Sequence, residues 1–210
     1  KEPLRKNLNS GYGATTGGNT KGKILMVKTA IVILNWNGLE YLKIFLDKVI
    51  SLSTHAETDT VVYLADNGSS DGSAEWVASN TERVKLIRLE KNFGFAGGYN
   101  HALDQIDARY YALINSDIEV TEGWLKPLVD HMDNNPDVAS CQPKILSFNK
   151  REYFEYAGAA GGYLDKFGYP LCRGRVFYNV EKDDGQYDAP ADIFWSTWAC
   201  MLVRSEASKK

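Results

Sequence analysis

The chain has 210 residues, 44% hydrophobic and 12% aromatic, which suits one domain with a sizeable core. Its 24 Lys and Arg against 27 Asp and Glu leave a formal net charge of -3, so bulk electrostatics attract neither nucleic acid nor an anionic membrane. Three scattered cysteines (Cys141, Cys172, Cys200) and three unpaired histidines (His55, His101, His131) signal no disulfide framework, zinc ribbon or H-E-x-x-H site.

Residues 1–25, including "NSGYGATTGGNTKGK", are aperiodic and rich in Gly, Thr and Asn; a leader or added tail is expected there, with the folded domain at 26–210. "TAIVILN" (29–35) is a continuous β-branched run of strand length. The apolar positions 39, 42, 45, 46, 49 and 50 behind it mark one helix face. "TVVYLAD" (60–66) precedes a helix over 71–79, with Asp71 as its expected N-cap. "VKLIRLE" (84–90) precedes a helix over 95–106, and "YYALIN" (110–115) precedes one over 122–132 despite Pro127. A fifth strand is expected over 138–146, then irregular hairpins from 150 and a closing strand in "DIFWSTWACMLVR". Continuous apolar strands separated by helices predict an α/β fold whose sheet is mostly parallel and buried on both faces. The apolar runs, Ala30 to Leu34 among them, fall far short of a membrane span, and a cytoplasmic location is the default expectation.

Ligands of open parallel sheets bind beyond the carboxyl ends of the strands. There the sequence delivers Asn35-Trp36-Asn37-Gly38, then Asp66-Asn67-Gly68, then Asn92-Phe93-Gly94, then Asn115-Ser116-Asp117. Each cluster alone also satisfies ordinary turn and cap chemistry; their conjunction points to a polar ligand such as a nucleotide. Neither a G-x-G-x-x-G fingerprint nor a P-loop is present.

"TAIVILNWNGLEYLKIFLDKV", "VVYLADNGSSDGSAEWV", "IRLEKNFGFAGGYNHAL" and "YYALINSDIEVTEGWLKPLV" together resemble the family 2 glycosyltransferases, particularly the rhamnosyltransferase-like and galactofuranosyltransferase-like branch. The resemblance runs from about residue 29 to 204 and implies a GT-A fold with a short antiparallel extension after residue 150. It implies metal-assisted, inverting transfer from a UDP- or dTDP-sugar to a glycan or lipid-linked acceptor in bacterial surface polysaccharide synthesis, with peripheral association at the inner membrane face. Asp117 matches the metal-binding acid of a D-x-D-like element, here Asn115-Ser116-Asp117, with Mg²⁺ or Mn²⁺ expected. Ser116 joins the donor-nucleotide set.

Asp66 matches the acid that accepts a nucleobase N–H, or is a turn residue. Trp36 matches an aromatic beside the base, or is a core residue; Asn35 and Asn37 bind ribose or shape the turn. Asn92 matches the amide of an N-x-G-F turn, and Gly94, Gly97 and Gly98 serve either close backbone approach or helix packing. Trp198 stands at the donor-sugar position, where a small pair is usual. The family's general base is an acidic pair downstream of "ACMLVR"; none follows here, so it is expected beyond residue 210, and Asp183-Asp184 read as a solvated loop. A catalytically incomplete sugar-nucleotide-binding module is the alternative. The motifs do not specify the donor sugar, acceptor, linkage or oligomeric state.

Overall fold

A computed structural model describes residues 27–54 and 59–208. The expected tail of residues 1–25 and His55 lie outside the described residues.

Four βα units open the fold: β1 (Val27–Asn35) and α1 (Leu39–Ser53), β2 (Thr60–Asp66) and α2 (Ser73–Asn80), β3 (Val84–Arg88) and α3 (Gly94–Leu103), β4 (Ala108–Asn115) and α4 (Lys126–Asn134). A two-residue β5 (Ser140–Cys141) follows. Then come the short strands β6 (Gly162–Leu164), β7 (Pro170–Cys172), β8 (Arg175–Val176) and β9 (Asn179–Val180), the longer β10 (Cys200–Arg204) and a final turn of helix, α5 (Ser205–Ser208).

The central sheet has the order β3-β2-β1-β4-β10-β5, with β1 to β4 parallel and β10 running antiparallel between β4 and β5. Both faces are covered, which is why β1 reads as an unbroken apolar run. Ile31, Ile33, Val62 and Leu64 pack with Leu42 and Leu46 of α1, Val77 of α2 and Val129 of α4. The alternate residues Ala30, Val32 and Leu34 pack with Tyr99, Ala102 and Leu103 of α3. Tyr99 is fully buried, and its hydroxyl donates to the Ile114 carbonyl at 3.1 Å, pinning α3 over the carboxyl end of β4.

Three local expectations are corrected. The fourth helix begins at Lys126 rather than 122, so Pro127 sits in its first turn, where its missing N–H has no intrahelical partner to lose. The fifth strand shrinks to Ser140–Cys141, for Pro143 cannot donate to a continuing ladder and the chain turns away. Asp71 precedes the N-cap of α2 rather than occupying it. Gly72 holds the N-cap at φ 79°, and the Asp71 carboxylate accepts from the Ser73 N–H at 3.0 Å and from the Leu39 N–H at 2.8 Å, so it serves the first turns of both α2 and α1.

The antiparallel extension after residue 150 is a four-stranded meander in the order β6-β7-β8-β9. It rests on a small core of Phe154, Ala159 and Ala160 and is tied back through Trp195, which pairs with Gly162.

Candidate functional site

The parallel register sets the carboxyl ends of three strands side by side: Asn35 pairs with Asp66, and Leu34 with Asn115. Everything after those residues therefore spills over one sheet edge, and a cleft of about 450 Å³ opens there. Trp36, Asn37, Asn92, Gly94, Ser116 and Asp117 all line it, so six of the sequence-predicted residues meet at one place. Trp36 is 58% exposed, which removes the core reading.

Asn35 and Asp66 lie beneath the cleft and are almost fully buried. The Asn35 amide donates to Ser73 Oγ at 2.8 Å, to Ser69 Oγ at 3.1 Å and to Asp66 Oδ1 at 3.3 Å, while Asp66 Oδ2 accepts from the Ser69 N–H. Asn35 thus shapes the turn. Its Oδ1 is buried without a partner, and Gly38 leaves it room: a Cβ there would stand 2.5 Å from that oxygen and 3.0 Å from Ser116 Oγ. Asn37 adopts φ 52° and accepts from the Ser70 N–H at 2.8 Å, which locks the first loop to the second.

Asn67, which sequence reading passed over, organises the next wall. It is 2% exposed, accepts from the Phe93 N–H at 3.0 Å, and donates to Asn92 Oδ1 and to the Gly94 carbonyl, both at 3.0 Å. Asn92 Oδ1 in turn accepts from the Gly94 N–H at 2.7 Å, closing an Asx turn at the start of α3. Gly98 serves packing, because a Cβ there would lie 2.8 Å from Asn67 Nδ2 and 2.9 Å from Leu34 Cδ1. Gly94 has open space at that position and φ 73°, so its role is conformational.

Asp71 carries the charge that organises the α1 end. Desolvation raises its pKa, but the hydrogen bonds from Ser73 and Leu39 outweigh it and hold the carboxyl below its ordinary value. Asp117 differs: among the described residues no hydrogen bond or ion pair engages its exposed carboxylate, whereas Glu119 nearby is held by Lys48 and by Arg151 at 2.6 Å. Among the described residues no three His, Cys, Asp or Glu form a metal cluster, so a cation at Asp117 would take its other oxygens from neutral groups, substrate and water. An unpaired carboxylate at the mouth of the cleft fits a hard divalent cation on those terms.

Trp198 sits one ring away from the cleft, 6.0 Å between centroids from both Phe95 and Tyr99, with Phe95 on the cleft wall. His101 packs against Phe93, and Asp183 is ion-paired with Lys144 at 2.6 Å, in keeping with structural roles for both. A larger cavity of about 830 Å³ lies away from these strand ends, between α4 and residues 187–193.

A family profile described as glycosyl transferase family 2 matches residues 30–198. Putative cellulose synthases 2 and 3 of Komagataeibacter xylinus are each 25% identical over 146 residues, 70% of this chain but 9% of theirs. Among solved structures, S. aureus TarS 1-349 in complex with UDP-GlcNAc is 22% identical with a TM-score of 0.52, over 59% of this chain and 36% of that one. Its complex with UDP is 23% identical, with a TM-score of 0.51 over 59% and 37%. These likenesses agree with the fold, including the mostly parallel sheet, and the chain spans only a small part of its curated relatives. With the profile covering most of the domain, the chain belongs to glycosyl transferase family 2.

Proposed function

We propose that this chain carries the donor side of a metal-assisted glycosyltransferase that takes a UDP- or dTDP-sugar and passes the sugar, with inversion, to a glycan or lipid-linked acceptor in surface polysaccharide synthesis. The observation that carries the reading is the convergence of Trp36, Asn37, Asn92, Ser116 and the unpaired Asp117 on one cleft at the strand ends. Trp36 offers an exposed ring face for a base, which supports stacking. Asn37 and Asn92 offer amides to ribose and diphosphate, while Ser116 and Asp117 follow β4 where the phosphates would lie.

Asp117 would hold Mg²⁺ or Mn²⁺ together with the diphosphate oxygens. When bound, the cation neutralises charge developing on the leaving group. The backbone of the Asn67–Asn92–Gly94 network is fixed before substrate arrives, so little ordering cost falls on binding. Asp66, buried beneath the cleft, meets a nucleobase N–H only if the Ser69 loop yields.

Asp117 is the one carboxylate lining the cleft among the described residues. The alternative is a domain that binds donor without turning it over. Thermal stabilisation by UDP, dTDP, GDP and NAD, with and without Mn²⁺, tests the first step. Metal-dependent stabilisation by UDP or dTDP alone is expected; equal response to all four ligands would contradict the base-selective site. Release of nucleotide from a matching donor then separates transferase from binding module.

A further inference from the structure

We propose that the end of the small sheet carrying its two aromatic hairpin tips is a bilayer-docking surface, seating Phe167, Tyr169, Phe177 and Tyr178 at the headgroup level of an anionic membrane. In a meander, alternate turns fall at the same end. The β6–β7 turn with Phe167 and Tyr169 and the β8–β9 turn with Phe177 and Tyr178 therefore share one end of the sheet. Phe167 is 74%, Phe177 81% and Tyr178 87% exposed, values of side chains that protrude rather than pack.

The second tip is also chosen against turn chemistry. Val176 pairs with Asn179, which leaves Phe177-Tyr178 as a two-residue hairpin loop, a place that favours Asn and Gly. Phe177 nonetheless holds φ 53°, a region that bulky side chains rarely adopt. Local backbone strain is retained for the sake of displaying a ring.

Local charge complements the rings. At this end of the sheet the bases Lys166 and Arg175 face a single acid, Asp165, in a chain of net charge -3. Asp165 is committed to its turn, where Oδ1 accepts from the Phe167 and Tyr169 N–H groups at 2.8 and 2.9 Å. Lys166 Nζ lies 4.9 Å from the Phe167 ring centre, and Arg175 donates to the Phe177 carbonyl at 2.6 Å, which braces the tip from behind. Amphipathic rings flanked by cations match the water–lipid boundary. A second copy of the chain would oppose like charge to like charge at this end.

The test is co-sedimentation with vesicles of phosphatidylcholine alone and of phosphatidylcholine mixed with phosphatidylglycerol, without nucleotide, so the outcome is independent of the donor reading. Wild type is expected to bind the anionic vesicles and not the neutral ones. Phe177→Gly with Tyr178→Ser should reduce binding about tenfold or more while leaving thermal stability equal or higher, since Gly suits that φ. Ile44→Ser, an exposed apolar position on α1, should change nothing. Failure of the wild type to sediment with anionic vesicles, or wild-type binding by the double variant, overturns the proposal. So does a concentration-dependent dimer that the double variant breaks, which would assign the surface to a second copy.

Discussion

Asn67→Ala is the sharpest test of how the cleft is built. The substitution removes one acceptor and one amide: the Phe93 N–H loses its partner, and the Asn92 side chain and Gly94 carbonyl lose a shared donor. Each bond contributes about 1 kcal/mol net, and stranding a buried donor adds to that, so a total of about 2–4 kcal/mol follows, with water relieving the exposed Asn92. For a chain of this length that corresponds to a fall in Tm of roughly 5–15 °C. Asn67→Asp should be no better, because its second oxygen would face two acceptors. Equilibrium urea unfolding followed by circular dichroism reads the loss. Gly98→Ala should also destabilise through its contact with Asn67, and the double variant should cost less than the sum, because removing the Asn67 side chain vacates space for the new methyl. A loss for Asn67→Ala within about 0.5 kcal/mol of zero, or strict additivity with Gly98→Ala, would refute the reasoning.

Asp117→Ala should abolish metal-dependent stabilisation by nucleotide while moving unliganded stability by no more than about 0.5 kcal/mol, since the exposed carboxylate has no partner among the described residues; paired thermal melts check both. Gly68→Ala should cost more than about 2 kcal/mol or leave the protein insoluble, because φ is 74° and the new Cβ would lie within 2.8 Å of the Lys91–Asn92 backbone. The Lys48 hydrogen bond, opposed by desolvation and aided by Arg151, holds Glu119 below its ordinary 4.5. A depressed acid stabilises above its unfolded pKa and loses that contribution as pH falls through the lower folded value, so Glu119→Gln should flatten the acid limb of a stability–pH curve below 4.5. Burial pushes the Cys200 thiol up to about 12 and that of Cys141 to about 11, so a thiol reagent at about pH 8 should leave both unlabelled until urea unfolds the chain.

The sheet was legible because its inner strands β1, β2 and β4 are buried on both faces, and an unbroken run such as Ala30 to Leu34 has no other economical use. The strand-end clusters were legible for a related reason: once the strands are parallel, the residues after them must meet. Asn67 was not legible, since its flanking Asp66 and Gly68 made it look like one more turn residue; only burial shows that its side chain points inward. Asp71 misled for a different reason. Its position before α2 reads as a cap, and Oδ1 does accept from the Ser73 N–H, but Oδ2 reaches across to α1, a tertiary contact no local pattern encodes. The short strands β5 to β9 carry too few residues for either periodicity to register.

Paramagnetic relaxation by Mn²⁺ in the presence of UDP or dTDP locates the donor site, because it reports where the metal and nucleotide sit rather than whether they bind. Amide signals of Asn37, Gly94, Ser116 and Asp117 should broaden together, and Asp117→Ala should remove the effect. Broadening centred on the cavity between α4 and residues 187–193, with the strand-end cleft untouched, would contradict it.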